Sequence, residues 1–355
     1  MTQIIEKRPA DSIYEKTLHF SMDPKLREEF VNWYGDIRFG KVLEEMDRAA
    51  GHVSYIHADG REKNLTIVTA ACDRIDLTAP LRGDCDIRIR GQVNYVGRSS
   101  MEVGLRLDSR VDGKYMLVAR AYFIMVARSG DSAAEVNPLK PETDEEKRRY
   151  EAGRIRSEKR RIEASDNYLK RPPNEKESAL IHQLFLENKV GNLEGICMSR
   201  TRRESTLIMH PQDRNIHNKI FGGHIMRLSF ELGWTMANLF CRRRPLFLCV
   251  DHFHFYRPVE IGSIVCITGL VTYTGRTSFI VEITVEVIHP TTGQREVTNV
   301  SYLTFAAVDE DRIPTPVPRI VPHTYEEGLK YLDGARRYHR SKALRAERGK
   351  EEPES

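Results

Sequence analysis

The sequence predicts an α+β fold made twice in tandem, each copy an antiparallel sheet wrapped round one central helix. Three observations predict it. Tyr95-Val96-Gly97-Arg98-Ser99-Ser100-Met101-Glu102-Val103 aligns with Tyr273-Thr274-Gly275-Arg276-Thr277-Ser278-Phe279-Ile280-Val281 at an offset of 178 residues (273 − 95). A period of this size marks two copies of one domain, not a solenoid of short repeats. Each copy then shows a glycine-led helix followed by strands in uninterrupted series, the α+β order. Finally, 355 residues with 40% hydrophobic content suffice for two cores.

The first copy spans residues 12–130. It opens with a helical stretch at Pro24–Trp33. Phe39-Gly40 leads into a second helix, Lys41–Ala50, where Val42, Leu43, Met46, Ala49 and Ala50 fall at helical spacing. After a turn at Ala58-Asp59-Gly60 come strand-like runs at Leu65–Ala71, Ile87–Tyr95, Met101–Leu107 and Tyr115–Ala127. Met101, Val103, Leu105 and Leu107 alternate with polar residues and glycine, as in a half-buried strand. Residues 131–199 read as a charged linker. Its stretch Lys147–Arg161 holds eight Lys/Arg against Glu151 and Glu158. That stretch suits a solvated helix, a coenzyme-phosphate contact or a subunit contact.

The second copy, residues 200–332, repeats the plan. Phe221-Gly222-Gly223 leads into a helix carrying Ile225, Ser229, Leu232, Met236 and Phe240 on one face. Apolar runs follow at Leu246–Phe255, Ile264–Tyr273, Phe279–Ile288 and Val300–Val308, with a hairpin turn at Thr291-Thr292-Gly293. Residues 333–355 read as a charged tail.

Lys and Arg outnumber Asp and Glu by 55 to 51, a net charge of +4. This gives no argument for nucleic acid, although a local basic patch can still hold an anionic ligand. The six cysteines (72, 85, 197, 241, 249, 266) form no C-x-x-C pair and suit reduced, buried thiols. No apolar run reaches the 18–20 residues of a membrane span. Residues 1–20 have neither the apolar core of a signal peptide nor the acid-poor character of a transit peptide. The expectation is a cytosolic protein, or one beginning after a removed leader.

No nucleophile elbow, P-loop or dinucleotide fingerprint is present. What remains is a glycine–helix junction in each copy. Gly222 and Gly223 expose backbone N–H groups at a helix start, where the dipole favours negative charge. They serve either as an oxyanion site or only to allow close packing. Asp47 lies two turns into the helix that follows Gly40, among apolar residues. It is a candidate general base, or it points to solvent with Glu44 and Glu45. Asn218 can donate to a thioester carbonyl and accept from water, or cap a turn. The repeated turns offer Arg98, Ser99, Ser100, Arg276, Thr277 and Ser278 for phosphate or amide groups, or hydroxyls that satisfy their own backbone. Asp251-His252-Phe253-His254 could hold a metal pair, but no third ligand is near. The reading calls for no metal and no cofactor.

Together, Asn218-Lys219-Ile220-Phe221-Gly222-Gly223-His224-Ile225-Met226, Pro258-Val259-Glu260-Ile261-Gly262-Ser263 and the Thr274–Ser278 turn resemble the hotdog-fold acyl-coenzyme A thioesterases. The likeness is closest to the two-hotdog branch of the mitochondrial acyl-CoA thioesterase nine type. It rests there on Arg38–Asp47, Ile67-Val68-Thr69-Ala70, Phe123–Arg128, Val136-Asn137-Pro138-Leu139, His210–Asn215 and Tyr331-Leu332-Asp333-Gly334. It covers nearly the whole chain from Asp11. The resemblance implies a tandem double hotdog that hydrolyses acyl-CoA to fatty acid and free CoA between the two copies. It implies a mitochondrial location and a trimer of two-domain subunits. It makes Asp47 the helix carboxylate and Asn218 its loop partner from the other copy. Relatives carry the loop residue one place later, where this chain has Lys219. The reciprocal pair is degraded, with Phe230 at the position of Asp47, Glu231 next to it, and Gly35-Asp36 as the loop. Two rivals remain: a non-hydrolytic acyl-CoA-sensing module, and a hydratase acting on enoyl-CoA, which would want an Asp–His pair.

Overall fold

The computed structural model describes residues 4–130, 132–163, 172–189, 194–213 and 220–348. In chain order the elements are β1 (Tyr14–Leu18), α1 (Pro24–Phe30), α2 (Phe39–Ala58), β2 (Thr66–Cys72), β3 (Ile75–Asp76), β4 (Ile87–Val96), β5 (Ser100–Val111), β6 (Lys114–Ser129), β7 (Ser132–Ala133), α3 (Asp144–Glu163) and α4 (Glu175–Lys189). They continue as β8 (Ile196–Cys197), β9 (Arg203–Ile208), α5 (Gly222–Cys241), β10 (Arg244–Phe255), β11 (Ile264–Thr274), β12 (Ser278–Ile288), β13 (Arg295–Val308), β14 (Ile320–Val321) and α6 (Tyr325–Arg348).

One antiparallel sheet runs through both copies in the order β1-β4-β5-β6-β2-β10-β13-β12-β11-β9. The copies join where β2 pairs with β10, Cys72 opposite Phe253 and Ala71 opposite His254. The strand runs expected from periodicity all appear. The edge strands β1 and β9 are not predicted by apolar periodicity. Their sequences, Tyr-Glu-Lys-Thr-Leu and Arg-Glu-Ser-Thr-Leu-Ile, are charged, as exposed edges tend to be.

α2 buries Val42, Leu43, Met46, Ala50 and Val53 completely against the first half of the sheet. Burying such a face contributes roughly 1.5–3 kcal/mol per large side chain. α2 ends at Asp59, whose left-handed φ of 51° closes the last turn. Asn137, beyond the sheet strands of the first copy, is fully buried. Its amide donates to His57 O at 2.8 Å and to Asp59 Oδ2 at 2.7 Å, so it ties down that helix end.

α2 and α5 pack against each other with an offset of 183 residues, and glycine permits the approach on both sides. A Cβ at Gly40 would lie 3.2 Å from Phe230 Cβ and Arg227 O. A Cβ at Gly223 would lie 3.0 Å from Asp47 Cβ and Glu44 Cα. Both pairs obey one arithmetic (223 − 40 = 230 − 47 = 227 − 44 = 183), so the crossing has a pseudo-twofold axis.

α3 and α6, in the charged segments outside this sheet, do not lie free in solvent. α3 and α6 clasp the sheet face opposite the central helices, and they do it alike. Gly153 lets α3 settle on Tyr95, and Gly334 lets α6 settle on Tyr273; an added Cβ would come within 2.7 and 2.8 Å of those tyrosines' Cβ atoms. Tyr150 packs on Tyr95 with ring centroids 5.2 Å apart, and Tyr331 on Tyr273 at 5.1 Å. Arg156 stacks over Tyr122 at 3.8 Å and Arg337 over Tyr302 at 3.7 Å. A Tyr-x-x-Gly-x-x-Arg motif is therefore repeated at 181 residues (331 − 150), so the duplication includes these helices. Their cations meet buried acids. Arg156 and Arg160 reach Glu102 at 2.6 and 2.8 Å, and Arg337 reaches Asp251 at 2.8 Å. Burial pushes the Asp251 carboxyl up, but Arg337, His252 and Arg74 together hold it well below the usual carboxylate range.

Candidate active site

Asp47 is wholly buried. Its Oδ1 accepts from Thr69 Oγ1 at 2.7 Å, and its Oδ2 accepts from Gly223 N at 2.6 Å. Three elements make this cluster. α2 supplies the acid, β2 the hydroxyl, and the first turn of α5 the amide. The acid thus sits on the N-terminal end of a helix from the other copy, where unpaired amides and the dipole favour an anion. The glycines make the approach possible, since a Cβ at Gly222 would stand 3.2 Å from Asp47 Oδ2. Thr69 and Gly222 are half-buried.

Burial drives the Asp47 pKa up. Thr69, Gly223 and Arg48 pull it partly back, and it settles at about 6. A carboxylate tuned toward neutral pH, rather than left near its ordinary 3.8, is what general-base work requires. The reading that Asp47 points to solvent beside Glu44 and Glu45 does not hold. Even those two are buried, and they are held by cations. Glu44 meets Arg48 at 2.7 Å and Arg227 at 2.8 Å, while Glu45 meets Lys16 at 2.6 Å and also Arg48.

The structure brings Asp47, Gly222 and Gly223 together. Asn218 lies outside the described residues. Gly223 differs from its expected part: its N–H is not open for a substrate oxygen but is spent on Asp47. The Gly222 N–H donates to no acceptor among the described residues. The two repeated turns lie at strand ends, and no hydrogen bond or ion pair joins them to Asp47 among the described residues. Their carbonyls serve the fold, since Ser99 O accepts from Ala127 N and Thr277 O from Ala307 N, at 2.8 and 2.9 Å. Ser278 Oγ bonds Tyr338 on α6 at 3.2 Å. Arg98 pairs with Glu135 at 3.3 Å and is largely exposed. Ser99, Ser100 and Thr277 are half-buried and Arg276 is exposed.

Two residues of the site escaped the sequence reading. Thr69 was only part of a quoted motif. His224, beside Gly223, is buried and stands 3.7 Å from Asp213 and 3.1 Å from Arg227. Burial lowers its pKa against the pull of Asp213. The Asp251–His254 segment is a strand bulge with His252 at φ 46°, and its acid belongs to Arg337. Among the described residues, no group of three or more His, Cys, Asp or Glu is placed to hold a metal. No helix there is long and apolar enough to cross a membrane. All six cysteines are free thiols.

The same two-part organisation is found by comparison with known proteins. The Thioesterase superfamily profile matches twice, at residues 34–115 and 217–293. Human mitochondrial acyl-coenzyme A thioesterase 9 is 34% identical over 94% of this chain and 78% of its own length. The chain belongs to the acyl-coenzyme A thioesterase family. Mouse mitochondrial acyl-coenzyme A thioesterase 10 is 34% identical over 92% of the chain and 77% of its own length. A chloroplastic acyl-coenzyme A thioesterase 2 from Humulus lupulus is 33% identical over 94% of the chain and 81% of its own length. The antiparallel sheet wrapped round two central helices is the tandem double hotdog expected of this thioesterase family.

Proposed function

We propose that this chain hydrolyses acyl-coenzyme A thioesters to a free acid and coenzyme A, with Asp47 activating the water. One observation carries the reading: a buried carboxylate from one copy, seated on the helix start of the other, with its pKa raised to about 6. Near neutral pH it is mostly ionised, yet basic enough to take a proton from water. Water gives that proton to Asp47 as its oxygen adds to the thioester carbon. The carbonyl oxygen becomes an oxyanion, for which the Gly222 N–H is the proposed donor. Collapse of the tetrahedral adduct breaks the C–S bond, and Asp47 returns its proton to the departing thiolate. Thr69 and Gly223 fix the carboxylate; they position rather than react.

Asn218 is proposed from the family resemblance as the group that orients water or thioester. Arg276 and Arg98, exposed at the two turns, are proposed for the phosphates of coenzyme A. The adjoining hydroxyls of Thr277, Ser99 and Ser100 are proposed for its amides. Ser278 is the weakest of the set, because its hydroxyl already serves Tyr338. The domains 12–130 and 200–332 are the proposed sheet-and-helix bodies, with α3 and α6 as the clasp of each. The mitochondrial relatives support a mitochondrial location, and the resemblance supports a trimer of two-copy subunits. An enoyl-CoA hydratase would want a histidine on the acid, and Asp47 is held by Thr69 and Gly223 instead.

The test is thiol release from palmitoyl-CoA and shorter acyl-CoAs, followed with a thiol reagent. Wild type should release coenzyme A catalytically and Asp47→Asn should not. An Asp47→Asn enzyme with near-normal turnover removes the acid from the mechanism. Binding without release in wild type favours the sensing module. Direct attack by the carboxylate would expel coenzyme A as a mixed anhydride forms on Asp47, and water opening that anhydride at the Asp47 carbonyl would place ¹⁸O from labelled water into the enzyme over many turnovers.

A further inference from the structure

We infer that the outer face of the first half of the sheet, beneath α3, is a binding site for a compact polyanion carrying two or more phosphoryl groups. Arg90, Arg106 and Arg120 lie directly opposite one another on β4, β5 and β6. Like charges placed face to face across strands destabilise a sheet, so such a row needs a reason. The second copy shows that the fold does not supply one. Counting from the matched tyrosines (273 − 95 = 178; 302 − 122 = 180), the same three positions are Thr268, Thr284 and Val300. They too lie opposite one another. One copy carries three guanidiniums where the other carries none.

The row floors a cavity of about 1040 Å³, and α3 roofs it with Arg148, Arg149 and Arg156. Glu145 and Glu146 also line it. Glu145 is taken by Arg149, and Glu146 caps the amides of Glu142 and Thr143. Arg90 meets Glu15 at 3.0 Å, Arg106 meets Asp108 at 2.6 Å, and Arg156 meets Glu102. Arg120 and Arg148 have no carboxylate partner among the described residues. Guanidiniums converging from floor and roof of a concave space match the bidentate, multiply charged geometry of linked phosphates. The cavity lies across the sheet from Asp47. Arg90 and Arg98 are also separate along the chain, Arg90 within β4 and Arg98 in the turn beyond its end. The cavity is therefore a separate site, independent of hydrolysis. A free nucleoside polyphosphate and the nucleotide end of coenzyme A share the required chemistry.

The test takes the full chain and gives the first copy the residues of the second, Arg90→Thr, Arg106→Thr and Arg120→Val together. Arg120→Val alone serves as a milder variant, and melting temperature reports folding. Inorganic tripolyphosphate is titrated calorimetrically at low and moderate salt, with ATP and free coenzyme A as parallel arms. Wild type should bind tripolyphosphate, more weakly as salt rises. The triple variant should lose at least about tenfold in affinity and the single variant several-fold, with acyl-CoA turnover within about twofold of wild type. Whichever of ATP and coenzyme A loses affinity in step names the source of the phosphates. No binding to wild type, or equal binding to the triple variant, overturns the site. So does a change in oligomeric mass in the triple variant without tripolyphosphate binding, because the row would then be covered by a second copy.

Discussion

The two ends of the α2–α5 crossing have one geometry and opposite contents. At one end Gly222, Gly223, Asp47 and Thr69 surround a buried carboxylate. At the other, the positions related by the pseudo-twofold hold Phe39, Gly40, Phe230 and Phe247. The last equivalence is fixed by matching bulges, which follow Thr69 on β2 and Phe247 on β10. Phe39, Phe230 and Phe247 stack on one another at centroid distances of 4.8 to 5.9 Å and fill the space where the acid would be. The loop acid there is spent as well, since Asp36 accepts from Arg244 at 3.0 Å and from Arg312 at 2.6 Å. Glu231, next to Phe230, is paired with Arg38 at 2.7 Å. The glycine is retained at both ends because close helix packing needs it at both. A buried charge is costly, so an end that is given no proton to move is better filled with apolar rings than with an acid.

The largest effect should come from the acid itself. Asp47→Asn should lower kcat by roughly 10²–10⁴, the usual range for losing a general base. Phe230→Leu, its mirror, should leave kcat within about twofold and cost on the order of 1 kcal/mol in stability, read by thiol release and thermal melting. Equal losses of kcat from the two changes would show that the second end is not retired.

Glycine gives the next contrast. Gly223→Ala and Gly40→Ala both push a methyl into the facing helix, against Glu44 Cα in one case and the Phe230 side chain in the other. Both should lower the melting temperature. Only Gly223→Ala should also cut kcat, by at least about tenfold, because it moves the amide that holds Asp47. Thr69→Val should be milder, roughly tenfold in kcat/KM, with the acid limb of the pH profile moved upward because a hydrogen bond to the charged form is gone. Phe247→Leu should leave that limb in place.

Much of this contrast was legible in the sequence. The turn repeat gave the duplication, the glycine junctions gave the helix starts, and Phe230 at the position of Asp47 already suggested one retired site. Thr69 was not legible, because a threonine in a strand is ordinary and its partner is 22 residues away on another element. The α3 and α6 repeat was missed because only Tyr, Gly and Arg persist, inside segments whose charge suggests solvent. Those charges instead meet buried Glu102 and Asp251. The register of the arginine row was invisible until strand pairing placed residues 90, 106 and 120 side by side.

Asp47's ionisation yields the last two tests. With a folded pKa of about 6, kcat/KM should rise through about pH 6 to a plateau, and an apparent pKa near 4 would mean that the acid is solvated in the working enzyme. The smallest effect is thermodynamic. The folded pKa lies above the unfolded value of 3.8, so between about pH 4 and 6 the native state binds the extra proton. Stability from this group must then fall as pH rises through that window and stay level above it. At about 1.4 kcal/mol per pH unit the loss is on the order of 3 kcal/mol. Subtracting the wild-type melting temperature from that of Asp47→Asn cancels every other titrating group. The difference should grow by several degrees from pH 4 to 6.5 and then flatten. The same subtraction for Phe230→Leu should be flat throughout, because Phe230 has no proton to lose.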